Sequence, residues 1–252
     1  MKKTIIILAI MALAITAGAD TFIKQATHQD GFQMQGQTME PRDDTTITWL
    51  SQDKARSDSK EGTIIWRSDI DMVYMIDHEK KAYNEMPLSK FGDLKAMLGM
   101  DELSEEEAAM MEQQMAPMMA MMQMSATVTP TEETKKIGDY NCKKYDVDMK
   151  MGMINMKSAF WVSKDFDMDY SAFKKLNLAQ MLFMPGADQV IKEFEKMDGF
   201  MVLSEGEVNM MGTSVKNTTQ VLEVVEKDAP EGHFDVPKDY KKEKFDPMSN
   251  MR

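Results

Sequence analysis

The chain has 252 residues, a formal net charge of −12 at pH 7 and a mean hydropathy of −0.43. A surplus of carboxylates repels nucleic-acid phosphate, so nucleic-acid binding is excluded as a main activity. The single cysteine, Cys142, excludes an internal disulfide and is either a buried small hydrophobe or an intermolecular thiol.

In chain order, Lys2 and Lys3 form a basic start, Ile5 to Ile15 an apolar run, and Ala17-Gly18-Ala19 a small-residue cleavage site. This pattern predicts a signal peptide over residues 1–19, cleaved after Ala19, and export to the periplasm. The apolar run is shorter than the roughly 20 residues a membrane-spanning helix needs, and no later stretch reaches that length. Asp20, rather than a cysteine, follows the cleavage site, which argues for a soluble protein without a lipid anchor. The remaining 233 residues fit one β-rich domain over 20–240, followed by a charged tail over 241–252 that is expected to fray.

Thr45 to Leu50 and Gly62 to Trp66 are rich in strand-favouring residues and are expected to be neighbouring antiparallel strands. Asp71 to Ile76 and Ala82 to Met86 flank a polar loop and predict a hairpin. Near 88–125 the pattern turns helical and Met-rich: Ser104 and Glu107 are spaced as a capping box, and Pro117 is expected to kink the helix or restart it. From Lys144 to Met153 apolar and polar residues alternate with period two, which predicts a strand with one apolar and one wet face. Ala159 to Ser163 is its expected hairpin partner. A second helix is expected from about Ser171, with Val190, Ile191, Phe194 and Met197 at helical spacing, and last strands at Phe200 to Glu207 and Ser214 to Glu226. Nine or ten strands in two groups with helices between them predict an α+β fold: a curved, mostly antiparallel sheet, an open half-barrel, covered on its concave face by the inserted helices.

Four motifs, in order along the mature chain, carry a resemblance. They are Asp71-x-x-Tyr74-x-x-Asp77-x-x-x-Lys81-x-Tyr83, Gly138-Asp139-Tyr140-Asn141-Cys142-Lys143-Lys144-Tyr145, Phe160-Trp161-Val162-Ser163, and Phe234-Asp235-Val236-Pro237-Lys238-Asp239-Tyr240. Together they resemble a family of exported bacterial proteins of unassigned function whose fold is similar to the lipoprotein-carrier type (LolA/LolB-like). The resemblance implies a curved sheet around a hydrophobic cavity, and it carries over no ligand-binding residue.

Thirty methionines stand in the chain, ten of them between Met97 and Met124. Met111, Met115, Met118 and Met122 form one helical stripe, which Met119 widens. Such a stripe serves as core packing, as an adaptable surface for hydrophobic ligands, or as a set of thioethers selecting Cu(I). Trp49, Trp66, Tyr74 and Trp161 fall in predicted strands, where they form sheet core or line an apolar ligand face. His28, His78 and His233 are scattered, and no nucleophile elbow, metal-ligand spacing or phosphate loop accompanies them, so no catalytic residue, resident metal or cofactor is assigned. The expectation is a non-catalytic carrier for an acyl chain, lipid or lipidated peptide, with Met111, Met115, Met118, Met119, Met122, Trp49, Trp66, Tyr74 and Trp161 as candidate ligand contacts. The alternatives are an envelope protein binding soft metal, or a structural or stress-related one whose methionines scavenge oxidants.

Overall fold

The computed structural model describes residues 19–34, 36–90, 100, 103–121, 123–166, 185–210 and 212–243. All of the predicted signal peptide but Ala19, and the tail beyond residue 243, lie outside these. The first half holds strands β1 (Thr21–Gln29), β2 (Phe32–Met34), β3 (Gln37–Met39), β4 (Arg42–Leu50), β5 (Lys54–Ser59), β6 (Gly62–Arg67), β7 (Met72–Asp77) and β8 (Ala82–Pro87). Helix α1 (Glu105–Met121) leads into β9 (Met124–Ile137), β10 (Tyr140–Met151) and β11 (Ile154–Ser163). Helix α2 (Ala187–Phe194), β12 (Phe200–Met210), β13 (Thr213–Glu226) and the short β14 (Lys241–Lys242) complete the order.

Twelve strands form one sheet in the order β14-β8-β7-β6-β5-β4-β1-β13-β12-β11-β10-β9, and β2 and β3 make a separate hairpin. Every neighbouring pair is antiparallel except β14 with β8. The predicted hairpins are present: β7 pairs with β8, and Tyr145 of β10 lies opposite Phe160 of β11. Met153 stands in the turn after β10 and is exposed. Strands β4 and β6 are not neighbours, because β5 runs between them. Its sequence, Lys-Ala-Arg-Ser-Asp-Ser, has no β-branched or aromatic residue, and pairing on both sides imposes the extended backbone.

The α+β expectation is corrected: the protein is mostly β, its sheet is open with β14 and β9 at the edges, and two α-helices occur among the described residues. Neither of them covers the sheet as predicted. The capping box of α1 is formed, with Glu107 N–H donating to Ser104 Oγ and Ser104 N–H to Glu107 Oε2 at 3.0 Å. The helix runs on through Pro117 without restarting. Among the described residues, however, α1 lies along no strand; Met110 is exposed, and Met111, Met115 and Met119 are only half-buried. Methionines fall on several sides of this helix, so no single apolar face directs it onto the sheet. Helix α2 packs at one end of the sheet, chiefly on β9, with Phe194 reaching Phe160 of β11 and Met149 and Met151 of β10 beside it. The rest of the predicted second helix, 171–184, lies outside the described residues. Lys241 and Lys242, the start of the expected tail, are paired with Ala82 and Tyr83 of β8.

Strand register divides the side chains between two faces, because residues directly opposite each other in antiparallel strands point the same way. Leu50, Ala55, Trp66, Val73 and Met86 form one continuous row and pack with Ile23, Val221 and Phe200. This Ile23 face continues through Thr27, Thr219, Ser204, Phe160 and Tyr145 to the buried Val128 and Val147. The opposite face carries the row Phe22, Trp49, Arg56, Ile65, Tyr74 and Glu85.

Candidate functional site on the Ile23 face

Trp66 is the only one of the four predicted aromatic contacts on the Ile23 face. Its indole is 6 % exposed, enclosed by Leu50, Ala55, Val73 and Met86, with Ile64, Leu88, Phe166 and Val224 half-buried around the cluster. The Trp66 Nε1–H has no acceptor among the described residues. A buried donor left unmade costs about 1–3 kcal/mol, so this position is either a local defect or the place where an incoming oxygen is accepted. Phe200 and Phe166 extend the aromatic lining from this point, edge to face at 4.9 Å, and Tyr140 stacks on Phe166 at 4.2 Å.

The other three aromatics serve the opposite face and have partners there. Trp49 packs edge-on against Phe22 at 5.0 Å and against His233 at 5.2 Å. Tyr74 sits 6.2 Å from the Tyr83 ring, and burial, followed by the Glu85 charge, pushes its phenol above the ordinary value. Trp161 donates to Glu205 at 3.2 Å and carries the Lys135 ammonium 3.9 Å over its ring. Met111, Met115 and Met119 lie apart on α1, while the Met118 side chain and Met122 lie outside what is described. The seven predicted contacts that are described are thus not gathered into one site.

What the sequence reading did not anticipate is the segment from Lys227 to Glu243, a strap that crosses the Trp49 face and joins two of the quoted motifs. Asp20 anchors its start, accepting the Lys227 N–H on its carbonyl and the Ala229 N–H on its carboxylate, both at 2.9 Å. Arg56 donates to the His233 carbonyl at 2.9 Å while its guanidinium grips Asp58, and Arg67 pairs with Asp235 at 3.0 Å. Tyr240 Oη lies 2.8 Å from His78 Nδ1, whose Nε2 is 2.8 Å from the Thr63 hydroxyl, and Lys81 pairs with Asp239. The motif Phe234 to Tyr240 was therefore the available signal for the strap. The remaining two motifs also meet, Cys142 opposite Ser163 and Tyr145 opposite Phe160. Cys142 is free and buried, and burial holds its thiol above the ordinary value, so it behaves as a small hydrophobe.

The charged clusters of the described residues are occupied by structural roles. His28 bridges Asp43 and Asp30 at the surface, and no group of three His, Cys, Asp or Glu side chains is placed to hold a metal among the described residues. No helix among the described residues is long and apolar enough to cross a membrane.

A family model described as "Domain of unknown function (DUF4412)" matches residues 96–240. No curated protein matches the chain.

Proposed function

Taking as premise that the chain belongs to the DUF4412 family, we propose that it is a non-catalytic carrier of a hydrophobic ligand, exported to the periplasm, which receives an acyl chain on the Ile23 face. The observation that supports this reading is the buried Trp66 indole, whose N–H lacks an acceptor among the described residues in an otherwise apolar cluster. An acyl chain with a carboxylate or ester oxygen matches that environment: its methylenes replace water against the apolar row, and its oxygen accepts the Trp66 N–H. The resemblance of the four motifs to the lipoprotein-carrier type agrees with it, as does the basic and apolar start of the chain, which reads as an export signal. A lipidated peptide offers the same acyl chemistry.

Native mass spectrometry of protein purified from the cell envelope tests the proposal. An acyl-bearing molecule should accompany the folded protein and be displaced by a fluorescent fatty acid. A ligand-free spectrum together with no binding of the fluorescent probe overturns it.

A further inference from the structure

Along four adjacent strands the Ile23 face changes its chemistry. Toward the middle of β9, β10 and β11 it is built from Val128, Val147 and Phe160, the residue types that favour strands. Toward the other end the four strands carry Met124, Met149, Met151, Met156 and Met210 on that face. The register sets them side by side: Met149 is directly opposite Met156, Met151 opposite Met124, and Met210 opposite Ile154, which itself faces Met151. Directly opposed residues have Cβ atoms about 4.5–5.5 Å apart, within the reach of two thioethers that share one ion. Met124 is buried with Ala126 and Val190, Met149 and Met151 pack against that cluster half-buried, and Met156 and Met210 are half-buried as well, so the methionines sit at the margin of an apolar cluster and not wholly inside it. The sequence pattern on α1 drew attention to a different group of methionines; this one appears only when the strands are paired.

We infer that Met149, Met151 and Met156, with Met124 beside them, form a binding site for a soft monovalent cation of the Cu(I) class. Thioethers are soft, uncharged donors and select Cu(I) over harder ions such as Zn(II), which favour imidazole, thiolate or carboxylate. They also have no proton to lose in the neutral range. Binding at such a site is therefore flat between about pH 5 and 8, where a site made of His or Cys would release protons as it loads.

The test is an anaerobic titration of the exported protein with Cu(I), and with Ag(I) as a probe that does not oxidise, in competition with a chromogenic chelator. One ion per chain should bind more tightly than micromolar, independent of pH, and Zn(II) should not displace it. Met149→Leu with Met156→Leu should weaken binding by more than about tenfold, since even losing a group behind a metal ligand costs about that much. Leucine conserves volume, so the fold should hold. Should the double variant fail to fold, Met156→Leu alone is read the same way. X-ray absorption of the Cu(I)-loaded wild type should show sulfur neighbours only. Affinity weaker than micromolar, nitrogen or oxygen neighbours, or a loss of binding caused by Met111→Leu with Met115→Leu and not by the sheet variants would each overturn the site.

Discussion

Gln189 holds the backbone of Ala126 from both sides: its Oε1 accepts the Ala126 N–H at 2.8 Å, and its Nε2 donates to the Ala126 carbonyl at 2.7 Å. One helical turn further, Glu193 accepts the Val128 N–H at 2.8 Å. A turn of α2 advances about 6 Å over four residues, and two residues of strand about 6.8 Å, so Gln189 and Glu193 meet successive outward-facing amides of β9. Since β9 is an edge strand, these side chains take the place of a neighbouring strand where the edge is most apolar.

Replacing Gln189 with Ala leaves the buried Ala126 amide and carbonyl without these partners. Unfolding in urea should show a loss of about 1–3 kcal/mol, and light scattering should show association that grows with protein concentration. Unchanged stability would mean that water replaces the amide at no cost and that α2 is not what protects the edge.

Gly186 precedes α2 with φ of 88°, and a Cβ there would overlap the carbonyl oxygen of Met124. The left-handed backbone and the close approach both require glycine, and together they set α2 against the start of β9. Gly186→Ala should destabilise the protein by about 2 kcal/mol or more, with loss of hydrogen-exchange protection at Ala126 and Val128 ahead of β6 and β7. Equal loss everywhere would show that α2 docking is not a separable unit.

The strap should respond to acid through His233. Burial, and then the Arg56 charge, hold the imidazole below its ordinary value, against the weaker pull of Asp58 and Asp20, and its Nε2 has no partner among the described residues. The neutral ring is therefore the form the fold prefers. Its contribution to stability is complete above the unfolded value of about 6.5 and is lost as pH falls from there toward the lower folded value. Asp58 adds a second, more acidic window: burial raises its carboxyl, but hydrogen bonds from Arg56 and Thr63 outweigh this and set it below the ordinary value. Exchange protection of residues 227–243 should thus fall as pH drops below about 6.5, and His233→Phe should flatten that step while the carboxylate step remains. A step that survives the substitution would assign it to another group.

Period-two alternation exposed β10, whose Tyr145, Val147 and Met149 share one face, β11 followed as its hairpin partner, and the 71–86 hairpin was legible from its turn. Strand β5 was hidden, since its inward positions are Ala55 and Ser57 and its extended form comes from neighbours on both sides. Trp49 and Trp66 looked alike in sequence. Only the pairing of Trp49 with Arg56 and of Trp66 with Ala55 shows that they point to opposite faces. The strap was hidden for a related reason: its bonds to Asp20, Arg56 and His78 join residues far apart in the chain, and such contacts leave no local periodicity.

Trp66 also gives the sharpest separation of packing from ligand binding. Trp66→Phe keeps an aromatic ring in the cluster and removes the donor. The smaller ring leaves a cavity, which destabilises, whereas deleting an unpaired buried N–H relieves a desolvation cost of about 1–3 kcal/mol. The two effects oppose each other, and the urea midpoint should move little. Affinity for a fluorescent fatty acid behaves differently, because the bound oxygen loses its one donor and nothing offsets that loss. A hydrogen bond to a charged group contributes about 1.5–3 kcal/mol, so binding should weaken by roughly tenfold or more. Trp49→Phe, on the opposite face under the strap, should leave that affinity unchanged while it loosens residues 227–243. If Trp49→Phe weakens the fatty acid and Trp66→Phe does not, the ligand sits on the strapped face and the assignment of the Ile23 face is wrong.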